Sequence, residues 1–176
     1  MAVTACHGRE LVSTMELPSK PLRLALGIYD RIGELCRPMA SLIKDGLSKR
    51  QLGILALQEA LCDPVRPPDV ENDEWGLLTC IVKGSEPTPL WRPGLLLVMS
   101  PVVIELMQQW SSQKTPSSQP VGQTEWARSF AALDHHLQLG RTALAVMPRS
   151  SAEQRRCLRL LLASSRYPVE AHEFGG

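Results

Sequence analysis

Apolar positions recur at three- and four-residue steps along much of this chain, a spacing that predicts amphipathic helices. From Pro21 onward, Leu22, Leu24–Leu26, Ile28, Tyr29, Ile32 and Leu35 recur mostly at three- and four-residue steps, with Asp30, Arg31 and Glu34 between them. That pattern predicts a helix over 21–36, opened by proline in its first turn and stopped before Pro38. Met39, Leu42 and Ile43 continue it as a shorter piece up to Gly46. Ser48 is a good N-cap for a second helix over 48–61, carrying Leu52, Leu55, Ala56 and Ala60. Ser100-Pro101 opens a third over 101–110. Thr124 opens a fourth over 124–139, in which Trp126, Phe130, Leu133 and Leu137 form one stripe and Gly140 is the stop signal. Ser150 or Ser151 caps a fifth over 151–164, with Leu158, Leu161 and Leu162 facing inward.

Two short apolar runs lack that rhythm. Residues 76–83, lying between Gly76 and Gly84, and residues 94–99 read as buried strands, able to pair as a two-stranded ribbon. Residues 141–147 fit either a strand or a helical continuation. The expected fold is therefore mainly α, a helical domain with a small two-stranded β element, with α+β as the alternative. Residues 1–20 are expected to be a flexible arm and 21–165 a single globular domain. Within it, the polar, proline-bearing stretch 111–123 is expected to be a mobile loop, and 166–176 a C-terminal tail.

Composition supports a folded domain and narrows its chemistry. Of 176 residues, 44% are hydrophobic and 21% charged, which is a globular balance. Nineteen basic residues against eighteen acidic ones leave a net charge of +1, so a protein devoted to phosphate backbones is not expected, and nucleic acid is not the expected partner. Five cysteines, odd in number and without a C-x-x-C pair, predict free thiols in a cytoplasmic setting, with the nucleus as the alternative. No apolar stretch is long enough to span a bilayer.

Candidate chemistry is sparse. Asp134-His135-His136 resembles the tripeptide of a phosphoesterase family, in which it shares metal ions with other acidic and histidine motifs. Those companion motifs are missing here, and consecutive histidines on a helix point about 100° apart, so no metal site is expected. Cys157, flanked by Arg155, Arg156 and Arg159, could be a lowered-pKa nucleophile with His135 or His172, but a cysteine among leucines is more often core. Glycine-rich phosphate loops and nucleophile elbows are absent from the sequence. No cofactor is expected.

What remains points to binding. The loop around Pro89, Trp91 and Arg92 is stiffened by prolines, so ordering it on a partner costs little entropy, and Trp91 is the natural anchor. Trp75 and Trp110 lie at element ends, where one edge of an indole stays wet. Arg155, Arg159 and Arg166 fall on helical spacing as a basic stripe. The expected function is a non-catalytic protein–protein interaction or accessory protein that binds a partner protein. A self-assembling, viral matrix-like structural protein and a cysteine-dependent enzyme are the alternatives.

Overall fold

The computed structural model describes residues 22–62, 66–84, 88–89, 95–99 and 123–174. Among the described residues it is an α+β fold built on one six-stranded antiparallel sheet, not a helical domain with a two-stranded ribbon. The strands are β1 (Leu22–Tyr29), β2 (Leu52–Leu57), β3 (Thr88–Pro89), β4 (Leu95–Met99), β5 (Thr142–Val146) and β6 (Glu170–Phe174). The helices are α1 (Cys36–Lys44), α2 (Gln58–Cys62), α3 (Asn72–Gly84), α4 (Gln123–Gln138) and α5 (Ser151–Ser164). Across the sheet the order is β3-β4-β2-β5-β1-β6. β1 and β2 thus run the same way on either side of β5, with α1 between them in sequence, a split β-α-β arrangement.

Helices cover both faces of this sheet, and that explains its sequence. Ala25 and Tyr29 of β1, Leu52, Ile54 and Ala56 of β2, and Leu144 and Val146 of β5 pack with α1, α3 and α5 in one buried cluster. The alternate residues Leu24, Leu26, Ile28, Leu55, Ala143 and Ala145 are equally buried on the opposite face, with Leu133 and Leu137 of α4. A strand apolar on both faces reads as a continuous run, and periodicity alone does not separate it from a buried helix. For this reason residues 22–29 are strand where a helix over 21–36 was expected, the helix beginning only at Cys36 after a 3-10 turn, Ile32–Leu35. Most of 48–61 is likewise β2, with only Gln58–Cys62 helical.

The opposite error falls on 76–83, expected as a strand. It lies within helix α3, whose first turn carries Asp73 and Glu74 and whose last carries Lys83, charges that suit the helix dipole. Leu78 and Ile81, one turn apart, are its buried residues. Residues 170–174, expected as tail, form β6 and pair with β1 through the whole register from Leu22↔Phe174 to Leu26↔Glu170. Arg23 and Glu173 face each other in that register and join at 2.9 Å.

Elsewhere the pattern and the structure agree. Residues 95–99 are a strand, 123–138 and 151–164 are helices, and Gly140 adopts φ +77°, the left-handed stop that glycine tolerates. Ser150 caps α5 by accepting from the Glu153 amide at 3.2 Å. Ser48 caps as expected, but caps a 3-10 turn (Lys49–Gln51) rather than a long helix. Its amide donates to Gln51 Oε1, while buried Gln51 also donates to Met147 O at 3.0 Å, tying the entry of β2 to the exit of β5. On α5, Leu161 is buried and Leu158 half-buried, but Leu162 is 60% exposed, contrary to the inward direction expected for it. The expected arm over 1–20, the expected helix over 101–110 and the polar stretch 111–123 lie outside the described residues, except Gln123, which is the first residue of α4 rather than part of a loop.

Candidate functional site

Where the 31–38 segment, the 66–70 loop and the C-terminal end of α5 meet, they enclose a groove of about 600 Å³. Among the described residues, four arginines line it, Arg31, Arg37, Arg66 and Arg166, against two carboxylates, Glu34 and Asp69. Each arginine is held differently. Arg66 is pinned: Nε and Nη2 donate to Val70 O at 3.2 and 2.6 Å, and Nη1 donates to Asn72 Oδ1 at 2.6 Å. Those bonds fold the loop so that Val70 enters the core, and they leave the guanidinium with no carboxylate partner among the described residues.

Arg37 spans from α1 to the same loop, donating from Nη2 to Asp69 O at 2.7 Å with Asp69 Oδ2 at 3.2 Å. Both side chains are well exposed, so the pair adds little stability. Arg31 is exposed, and among the described residues no side-chain bond or ion pair engages it. Arg166 is 78% exposed and approaches Asp30 Oδ2 at only 3.8 Å.

Behind Arg166 lies a polar cluster. Asp30, at the end of β1, accepts from the Tyr167 hydroxyl through Oδ1, and the same oxygen is 3.4 Å from Arg141 Nε. Arg141 Nη1 lies 2.7 Å from His136 Nδ1, and its guanidinium sits 4.2 Å from the centre of the Tyr167 ring. The rings of His136 and Tyr167 are 5.0 Å apart. The Tyr167 hydrogen bond, with the Arg141 bond and charge behind it, holds the Asp30 carboxyl below its ordinary pKa despite partial burial. The same bond raises the Tyr167 phenol. An arginine has only donors, so His136 Nδ1 must accept, and the proton sits on Nε2.

Burial, then the charges of Arg141 and His135, hold the His136 pKa below its ordinary value, with Glu170 opposing. A histidine lowered in this way stabilises the fold in its neutral form. Its contribution is complete above the unfolded pKa of about 6.5 and is lost as pH falls through the lower folded value. In an NMR titration, His136 is expected to show a midpoint below that of an ordinary histidine. Arg141→Leu is expected to bring the midpoint back up, and an unchanged midpoint would remove Arg141 as a cause.

The sequence-marked residues fall in scattered places. Trp91, Arg92 and Trp110 lie outside the described residues. Pro89 belongs to the edge strand β3, a position open to a residue that has no amide proton. Trp75 is half-buried on α3 and packs against the core. Arg155 and Arg159 are exposed on α5. Arg166 leaves their stripe because the helix ends at Ser164 and Ser165 is extended, at φ −84° and ψ 138°, which carries Arg166 into the groove instead. Arg37 and Arg66 carried no mark in the sequence, and Arg31 only that of a polar position in the expected 21–36 helix. Arg31 and Arg37 are near neighbours in sequence, but Arg66 and Arg166 are distant from them and from each other, and only tertiary folding gathers the four.

Cys157 is a core residue. Burial, followed by Glu153 and Asp45, pushes its thiol up to about 11, and burial does the same to Cys36. His135 is exposed on α4, across the sheet from Cys157. Cys36, Cys80 and Cys157 are free thiols. Among the described residues, no group of three or more His, Cys, Asp or Glu side chains could hold a metal ion, and no helix is long and apolar enough to cross a membrane. Comparisons of the chain with protein-family models, with curated proteins and with solved structures find no match.

Proposed function

We propose that this protein is a non-catalytic binding protein that takes an acidic segment of a partner protein into the arginine-lined groove. The observation that carries the reading is the charge imbalance there: four guanidiniums face two carboxylates, with Arg31 unengaged and Arg66 neutralised by no acid among the described residues. Such imbalance costs the free protein some self-repulsion and is relieved when an anion arrives. Apolar docking has less support. Among the described residues, only Leu139 and Leu162 are large apolar side chains with high exposure. The proline-rich segment bearing Trp91 is a second contact in this proposal, and a cytoplasmic or nuclear setting goes with the free thiols.

The test is charge reversal at the two least engaged arginines. Arg31→Glu combined with Arg166→Glu is expected to weaken binding of a fluorescent oligoglutamate peptide at least tenfold at low salt. The wild-type protein is expected to lose most of the same binding as salt rises and the Debye length shrinks. The reversed pair at Arg155 and Arg159, exposed but outside the groove, should have a much smaller effect. Equal losses from both pairs, or binding indifferent to salt, would defeat the proposal.

A further inference from the structure

We infer that the groove is built for a phosphorylated segment, a phosphoserine- or phosphothreonine-bearing stretch of the partner, rather than for carboxylates alone. This rests on the reading of the groove as a partner site and makes its ligand chemistry specific. Among the described residues, every cation lining the groove is an arginine and none is a lysine. A guanidinium offers a planar fork of N–H donors that matches the oxygens of phosphate in pairs, where an ammonium acts only as a point charge.

Arg66 is the centre of the argument. Of its five N–H groups, three are spent on Val70 O and Asn72 Oδ1, so two remain to donate outward from a side chain that is already immobilised. Fixing an arginine usually costs rotamer entropy at the moment of binding, and here the loop has met that cost in folding. The charge count agrees. Among the described residues, four arginines against Glu34 and Asp69 leave two positive charges, which a phosphomonoester of about −1.5 to −2 at neutral pH balances and a single carboxylate does not. Asp30 stands just behind the groove, but Arg141 offsets it. Arg31 and Arg166, exposed and weakly engaged, are free to close on the remaining phosphate oxygens. Pro67 and Pro68 stiffen the wall between Arg66 and Asp69, so the cradle changes little when filled.

The probe is a glycine-flanked phosphoserine pentapeptide, compared at constant ionic strength with its glutamate and unmodified serine counterparts. Binding to the full chain is followed by fluorescence anisotropy and by the arginine Nε–H signals in NMR. The phosphopeptide is expected to bind at least tenfold more tightly than the glutamate peptide. Its affinity should rise severalfold between pH 5 and pH 7.5, as the phosphate gains its second charge with a pKa of about 6, while the affinity of the glutamate peptide stays nearly flat. Arg66→Gln should remove most of that preference. Because Arg66 also holds the loop, Arg31→Gln, which breaks no bond within the described fold, is the companion variant and should weaken the phosphopeptide severalfold.

Equal affinity for phosphoserine and glutamate peptides, both lost on reversing Arg31 and Arg166, would overturn the phosphate inference and leave the acidic-partner reading standing. Failure of both peptides to bind would sink both. Tighter binding of a short uridine oligonucleotide than of the phosphopeptide would also overturn it, in favour of nucleic acid.

Discussion

Leu144→Ala is expected to destabilise the fold by about 3–5 kcal/mol, the range for truncating a fully buried leucine that leaves a cavity. Leu144 is at the middle of β5, inaccessible to solvent, and its cross-strand partners are Gly27 of β1 and Ile54 of β2. Gly27 has no side chain to swing into the vacated space, and Ile54 is stiff at χ1, so the cavity has little chance to collapse. Urea unfolding followed by circular dichroism would show the midpoint falling with the slope unchanged. Leu162→Ala, on the exposed side of α5, is the control and should stay within about 0.5 kcal/mol of wild type. A Leu144→Ala loss as small as that of Leu162→Ala would mean that β5 is not the centre of the sheet.

Gly27→Val is expected to cost about 2–3 kcal/mol by overpacking. A Cβ at position 27 would meet Tyr29 Oη at 3.1 Å, and Tyr29 Cε2 and Leu161 Cδ2 at 3.2 Å each. One methyl can be accommodated by shifts of a few tenths of an ångström. Two more cannot be, unless Tyr29 leaves its place. Tyr29 is anchored by a 2.9 Å hydrogen bond to Ser164 near the end of α5, so displacing its ring loosens the helix as well. Burial raises the Tyr29 phenol above its ordinary pKa, and the Val variant should bring the phenol back toward that value as the ring is pushed out. Gly27→Ala should lie between wild type and Val in thermal midpoint. A Val variant as stable as wild type would show that the contact of α5 with β1 is loose.

How far the chain spells out this fold depends on how many faces of each element are buried. Helices α4 and α5 are apolar on one side only, and both were legible. β1 was misread as the start of a helix: Leu22, Leu24, Leu26 and Ile28 do alternate with period two, but the three-residue steps leading on to Ile32 and Leu35 outweighed that alternation. In β2, Leu52-Gly53-Ile54-Leu55-Ala56-Leu57 is buried nearly throughout, so no rhythm survives. In α3, the glycines at 76 and 84 suggested a bounded strand, whereas the signals that decided its structure were the acidic first turn and the one-turn spacing of Trp75, Leu78 and Ile81. The groove was the least legible feature. Of its arginines only Arg166 drew notice as a binding residue, and for a helical stripe that the helix ends too early to include it in.

The sheet order also sets a timetable for the nascent chain. β1 and β2 leave the ribosome early, but each waits for β5, whose register with β1 joins Ala25 to Val146 across more than a hundred residues. Until then β1 and β2 lack the strand that joins them in the finished sheet. Pairings that distant fold slowly and leave unsatisfied edges exposed to other chains meanwhile. Synthesis of this protein should therefore lean on chaperones that shield β edges, and its yield should fall steeply as expression outpaces them.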